Sequence, residues 1–533
     1  LFLSDNNIVG AIPKTIGNLT NLRYLDLDSN MLTGSIPPSI GEIHSYSGSL
    51  SSLRLGDNRL EGAIPASLGI LSNLSNIDLS SNRLSGHIPY SIGNVSALRD
   101  LDLSENQLSG GLPQAFSQLK SLTVLDVSYN HLSGGLPQAF SQLKSLTVLD
   151  VSDNHLSGGL PQAFSQLNSL TYLDVSDNQL SGTFPPTLPS SLMYLQLGGN
   201  NMMFGTVSET SFQNKSNLRS LGLPAGWIIN ISSTWIPTFQ LEDINLSGCT
   251  IGGPIPSWIS TQYYRLQTLD LSSTKLEGNI PSWLWDVVSS SIYINLSNNH
   301  LEGPWAPTVE LRGKLPGEYV SLDLSKNELS GHIPADINMI LSSLRQLSLA
   351  DNKLDGPIPA SMGNMELLLY LDMSKNRLTG TIPDSFGNTG FYTLLLADNK
   401  LQGSVPASLG NVSSLEILDI SKNRLTGNVP PSLGNLLYLE VLNLENNALD
   451  GEIPANIGNL SSLVIFNMAG NHLTGEIPKE LGNMKQLMSF RMGKNNLQGH
   501  LPESFRNLSL LQVLDVGHNN LTGNIPDWIS DFS

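Results

Sequence analysis

One phrase, L-x-L-x-x-N-x-L-x-G-x-[IL]-P, recurs along the chain and sets Asn82, Asn106, Asn130, Asn154 and Asn178 at intervals of 24 residues, with Asn30 in the same phrase upstream. A period of this length, held from Leu1 to the last residues, makes each unit one supersecondary piece that buries its apolar edge only against its neighbours. The 533 residues would divide into several domains in a globular protein. Repetition predicts instead one continuous solenoid, 1–533, of about 22 repeats. Such a molecule is built to display surface, so its function is to be sought in what it binds.

The unit Leu22 to Asn30 shows how the repeat folds. Leu25 and Leu27 alternate with Tyr24, Asp26 and Asp28, which gives a short strand with leucines inward and polar residues outward. Stacked units make these strands a parallel sheet, about 4.8 Å per repeat and on the order of 100 Å along its arc. The second half, Leu32 to Pro37, alternates again and predicts a second short strand on one flank, with Gly where backbones approach and Pro where pairing stops. Ser39-Ile40-Gly41 then reads as a short helical or 3₁₀ turn. The predicted fold is an α/β horseshoe, with short parallel strands on the concave face, 3₁₀ or short helical turns on the convex side and the extra flank strand between.

Asn stands where the chain leaves the main strand. Its amide supplies both a donor and an acceptor to backbone groups that have no ladder partner, and stacked amides are expected to bond one another from unit to unit. Asn30, Asn82, Asn106, Asn130, Asn154, Asn178, Asn376, Asn423, Asn471 and Asn519 form this ladder. The slot departs from Asn at Cys249, at Thr274 and at a break near Gly226.

A formal charge of -18 argues against nucleic acid, whose binding rests on clustered Lys and Arg. No basic patch is visible in the sequence, and an anionic membrane would be repelled for the same reason. No apolar run approaches about 18 residues, so no direct membrane insertion is expected of this segment. The single cysteine, Cys249, excludes an internal disulfide and cysteine-rich metal sites. It is read as a buried thiol replacing an Asn.

Several stretches break the pattern. Residues 111–182 are three nearly identical tandem units, the first two differing at Tyr129 and Asp153, and present a uniform surface of little specificity. Residues 201–240 are irregular, with Trp227 and Trp235 expected to tuck over the core. Smaller insertions fall at His44 to Gly48 and Trp305 to Gly317. The outward row Asp78, Asp102, Asp126, Asp150 and Asp174 is expected to bond local backbone or water. A flat row lacks the enclosing oxygens that calcium needs, so no metal and no cofactor are expected.

Where outward residues leave the generic L-D-L-S form, ligand choice is more plausible. Tyr370, Tyr392, Thr393, Leu395, Val441, Asn443, Ile465, Asn467, Met488 and Arg491 present aromatic, apolar and basic groups in the late repeats, and aromatics and Arg dominate binding hot spots. No His, Ser or Cys is arranged with a base as a nucleophile requires, and no phosphate-binding loop occurs, so no catalytic residue is assigned. Glycosylation sequons stand at Asn18, Asn73, Asn94, Asn214, Asn230, Asn245, Asn295, Asn411, Asn459, Asn507 and Asn520. Asn245 and Asn295 replace the outward Asp, so glycans there would block mid-sheet and leave the later repeats open.

The half-unit L-x-G-x-[IL]-P, as in Gly10-Ala11-Ile12-Pro13, Gly86-His87-Ile88-Pro89 and Gly475-Glu476-Ile477-Pro478, resembles the plant type of extracellular leucine-rich repeat. That type is found in receptor-like kinases, receptor-like proteins and polygalacturonase-inhibiting proteins. The segments Trp235 to Leu241, Pro256-Ser257-Trp258 and Pro281-Ser282-Trp283-Leu284-Trp285 are similar to the middle of receptor-like proteins related to fungal-xylanase receptors. The chain departs from that family in having no cysteine caps, no long island insertion, no membrane helix and no kinase. It opens and stops in mid-repeat, as expected of a piece of a longer product. The resemblance implies a non-enzymatic ectodomain at the extracellular face of the plasma membrane or in the cell wall. It would bind a peptide, glycan or protein ligand, with a co-receptor kinase as partner. The alternative is a secreted wall protein inhibiting microbial polygalacturonase-type hydrolases.

Overall fold

Leucines two apart, followed by a polar turn residue, give short strands of two to five residues along the computed structural model, which describes residues 1–45, 48–183, 188–306 and 320–531. Two units are present, Leu1–Ile251 with Ser257–Leu266, and Gly252–Pro256 with Gln267–Ser533. Each is a stack of repeats.

In the first unit the main strands run parallel and in register, so that Leu25, Leu53, Ile77, Leu101, Leu125, Leu149, Leu173, Leu195, Leu221 and Ile244 form one buried column. The second unit repeats the arrangement from Thr268–Asp270 to Val513–Asp515, with Leu269, Ile294, Leu322, Leu347, Leu371, Leu394, Leu418, Leu442, Phe466 and Phe490 buried in line. Burying each of these side chains stabilises the stack by roughly 1.5–3 kcal/mol. The flank strands form their own parallel sheets, such as Arg83–His87 beside Gln107–Gly110 and Glu328–His332 beside Lys353–Pro357.

Pro closes each flank strand because it brings no N–H to the ladder. The chain then winds into a 3₁₀ segment, as at Tyr90–Asn94, where Ile92 N–H bonds Pro89 O at 3.1 Å. Among the described residues two of these connections are α-helical, Leu284–Ser290 and Ile337–Ile340. A glycine late in many segments is required by close packing. A Cβ on Gly434 would meet the backbone carbonyl of Asn456 in the next repeat.

The aromatic residues Trp227 and Trp235 of the irregular stretch pack against the core, while Met202, Phe204 and Ile236 stay exposed. Trp227 is fully buried, and Trp235 lies among Phe212, Phe239 and Trp258 with ring centroids 5.7–5.8 Å away. The insertion at His44 to Gly48 is an antiparallel pair, His44–Ser45 with Gly48–Ser49, whose residues 46–47 lie outside the described residues. Beyond Ala306, the insertion to Gly317 also lies outside them.

The ladder asparagines bond main chain. Asn106 donates to Leu79 O, Leu103 O and Ser104 O at 2.9–3.2 Å and accepts from Leu84 N–H at 2.9 Å. The same pattern recurs at Asn30, Asn376 and Asn519. The expectation of amide-to-amide bonding between neighbouring units is corrected by this geometry, because backbone occupies both ends of each amide. Cys249 fills the slot with its thiol 3.3 Å from Pro224 O, and burial pushes that thiol up to about 12. Thr274 fills it by donating to Leu271 O at 2.6 Å.

Candidate functional site on the late-repeat strand face

Strand register sorts the sequence-predicted residues of the late repeats into three rows. Tyr370, Thr393, Val441 and Ile465 share one row with Ile417, which sequence reasoning passed over. Leu395, Asn443, Asn467 and Arg491 share the next with Asp372, Asp419 and Asp515. Tyr392 and Met488 precede their strands and form part of a third row. Tyr392, Ile465, Met488 and Arg491 are exposed, Tyr370, Thr393, Leu395, Val441 and Asn443 half-buried, and Asn467 buried. Ile417, Val441 and Ile465 make an uninterrupted apolar strip beside the polar row.

Side chains in the polar row hold one another. Asn443 donates to Asp419 Oδ2 at 3.0 Å, and Asn467 to Glu445 Oε2 at 3.0 Å. Arg491 makes no salt bridge among the described residues, although Asn467 and Asp515 are its register neighbours. Beside it the chain carries Ala469, Gly470 and Gly493, where a repeat such as that of Asn106 carries Ser104 and Glu105. Their small size opens a bowl of about 160 Å³, ringed by Glu445, Arg491, Lys494, Asp515 and His518. Lys494, His518 and Glu445 were not singled out from the sequence, because they fall at turn positions outside the strand alternation. The Tyr370 hydroxyl is pushed up to about 12 by burial first and by the neighbouring Asp372 and Asp323 carboxylates second.

The same face of the first unit is different. Asp78, Asp102, Asp126, Asp150 and Asp174 form a register-matched row. Each accepts from the Ser two residues on, as Asp126 Oδ1 does from Ser128 Oγ at 2.7 Å. Burial pushes the Asp126 and Asp174 carboxyls up to about 6 against the opposing effect of those serines. Arg54 sits at the start of the row, 2.7 Å from Asp28 and 3.7 Å from Asp26. Tyr172 and Tyr194, also missed in the sequence, stack face to face at 4.3 Å. Their signal was the row position they share once the strands are aligned.

The sequons lie mainly away from these rows. Asn18, Asn94, Asn411, Asn459 and Asn507 each end a 3₁₀ segment, and with Asn73, Asn214, Asn230 and Asn520 they are exposed. Asn245 is exposed in its main strand. Asn295 is half-buried and its amide donates to Tyr293 Oη at 3.1 Å and Asp270 Oδ2 at 3.3 Å.

Among the described residues no helix is long and apolar enough to cross a membrane. The family described as Leucine-rich repeat region matches residues 77–279, and the single-unit Leucine Rich Repeat family matches 21–43, 343–365, 367–389, 414–436, 438–460, 462–484 and 510–532. Receptor-like protein EIX2 of Solanum lycopersicum is 30% identical over 190 residues, 32% of this chain and 18% of that protein. The chain thus matches less than a fifth of the length of this curated relative. Among solved structures, the plant peptide hormone receptor RGFR1 in complex with RGF2 is 31% identical with a TM-score of 0.68, covering 100% of this chain and 88% of that one. The Arabidopsis receptor kinase HAESA, in complex with the peptide hormone IDA and the co-receptor SERK1, is 32% identical with a TM-score of 0.58, covering 99% and 80%. With its repeats matched along both units and its fold shared with receptor ectodomains, the chain belongs to the plant extracellular leucine-rich-repeat receptor family.

Proposed function

We propose that this chain is a non-enzymatic ligand-recognition ectodomain, displayed outside the plant cell, that takes a peptide on the strand face of its late repeats. The observation that carries the reading is the bowl beside Arg491. There the generic Asp row gives way to Asn443, Asn467 and a cation that makes no salt bridge among the described residues, next to residues too small to fill the space. The strip of Ile417, Val441 and Ile465 supplies apolar area along which a peptide chain would lie, and Tyr370 and Tyr392 supply aromatic contacts. Arg491, Lys494 and His518 favour an acidic group on that peptide. RGFR1 and HAESA, similar across nearly the whole chain, were solved with peptide hormones, which favours a peptide over a glycan or a folded protein. A co-receptor kinase would complete the signalling unit, as SERK1 accompanies HAESA.

Selection of a random peptide display library against the chain tests this reading. The Tyr370→Ala, Tyr392→Ala, Arg491→Ala triple variant serves as counter-target. Enriched peptides are expected to bind the variant at least thirtyfold more weakly. Equal binding to both proteins would remove the late-repeat site.

A further inference from the structure

Lysines and arginines more than twenty positions apart along the chain meet on one edge of the second unit, where each main strand turns into its flank strand. Lys353, Arg377, Lys400 and Arg424 hold the same position in successive repeats. Lys400 N–H bonds Leu378 O and Arg424 N–H bonds Leu401 O, both at 2.8 Å, and Arg377 is the register partner of Asp355. Beside this row runs another, Lys326, Asp351, Lys375, Asp398 and Lys422, knitted by bonds such as Lys375 N–H to Ala397 O at 2.8 Å. All seven cations are exposed. Lys353 pairs with Glu328 at 2.7 Å. Among the described residues the other six make no salt bridge, in a chain of formal charge -18. The absence of a basic patch, as read from the sequence, is corrected here: the repeat period scatters these charges along the chain and stacking collects them.

Turn chemistry does not account for the lysines. Lys326, Lys375 and Lys422 have φ of 54°, 53° and 52°. This left-handed region favours Gly, Asn and Asp, and a lysine there gains no local bond. The first unit fills the same turn with Ser29, Asp57, Ser81, Glu105, Tyr129, Asp153 and Asp177, none of them basic. What the lysines add is charge.

The composition of the strip selects the partner. Its neighbours are Ser374, Thr379, Ala397, Gln402, Ser421 and Thr426, with the carboxylates Asp351, Asp355 and Asp398 interspersed, so it lacks the aromatic and apolar anchors at the centre of protein interfaces, from which Lys is depleted. It also lacks the aromatic platforms on which single-stranded nucleic acid stacks. A row of cations repeating about every 4.8 Å suits a linear polymer with one anionic group per similar step. We propose that this edge docks a polyuronate, an acidic polysaccharide with one carboxylate per sugar, along Lys353, Arg377, Lys400 and Arg424 with Lys375 and Lys422 alongside. At its far end this surface adjoins the proposed peptide bowl, where Lys422 N–H bonds Glu445 O at 2.7 Å, and Lys422 is therefore left unchanged in the variants below.

Binding of the full chain to sodium polygalacturonate at low salt tests the proposal, with fully methyl-esterified pectin and double-stranded DNA as comparison polymers. The wild-type chain is expected to bind polygalacturonate, to lose affinity steeply with salt, and to bind the other two at least tenfold more weakly. The Lys375→Gln, Arg377→Gln, Lys400→Gln, Arg424→Gln variant should lose at least tenfold, while Arg59→Gln with Arg83→Gln, on the flank of the first unit, should not. The exchange Lys375→Arg, Arg377→Lys, Lys400→Arg, Arg424→Lys keeps the charge and should keep binding, which separates lost charge from damaged fold. Failure of the wild type to bind, undiminished binding by the glutamine variant, or equal affinity for DNA would overturn the proposal. Peptides selected on the strand face should bind the glutamine variant normally, so the two readings fail independently.

Discussion

The side-chain amide of Asn130 donates to the carbonyl of Leu103, one repeat upstream, at 3.0 Å. The oxygen of the same amide accepts Leu108 N–H at 2.9 Å. One side chain thus satisfies buried backbone groups of the neighbouring turn that no strand pairing reaches. Replacing Asn130 by Ala leaves a buried N–H and carbonyl unpaired, at about 1–3 kcal/mol for each group. Chemical denaturation of Asn130→Ala should show a loss of roughly 2–4 kcal/mol, while an exposed change such as Tyr129→Ala should cost well under 1 kcal/mol.

The aspartate row makes stability depend on pH in the direction opposite to a salt-bridged carboxylate. Asp126 and Asp174 titrate near 6 when folded, chiefly through burial, and near 3.9 when unfolded. The folded chain therefore holds protons that the unfolded chain has released between about pH 4 and 6, and its stability falls as pH rises through that window. Melting should occur at higher temperature at pH 5 than at pH 7. The Asp126→Asn, Asp174→Asn variant should flatten the profile, and a rise in stability from pH 5 to pH 7 in the wild type would count against the burial argument.

Glycines in the 3₁₀ turns are held by packing. Gly434→Ala would drive a Cβ into the main chain of Asn456, and main chain cannot swing aside. A loss of about 1–3 kcal/mol is expected by thermal or chemical unfolding. Gly134 is the useful contrast. Its added Cβ meets open space, yet φ is +78°, so Gly134→Ala should cost about 1 kcal/mol through backbone conformation alone.

Cys249 should be silent to thiol reagents. Its sulfur is wholly buried and its ionisation is pushed up to about 12, so almost no thiolate exists at pH 8. Labelling with a maleimide should require denaturant, and rapid labelling of the native chain would show that the turn at Leu246 to Cys249 opens.

The frame of this molecule was readable from spacing alone. Leucines two apart fixed which residues face inward, and Pro after an Ile or Leu marked where the flank strand ends, because both effects act within a few residues. Surface chemistry was less readable. Glu445, Lys494 and His518 lie at turn positions, outside the alternation that pointed to Asn467 and Arg491. The Tyr172–Tyr194 stack and the Arg377–Lys400–Arg424 row join residues more than twenty positions apart, so they emerge only when repeats are laid side by side. Asn-to-Asn bonding failed as an expectation because the turn backbone competes for the amide at shorter range.

The most direct test of the account is hydrogen–deuterium exchange on the full chain with and without a peptide selected on it. Protection is expected in the main strands Ile417–Asp419, Val441–Asn443, Ile465–Asn467 and Ser489–Arg491, and in the turn carrying Lys494. Protection confined to the strands from Tyr24–Asp26 to Tyr194–Gln196, with the late repeats unchanged, would contradict it.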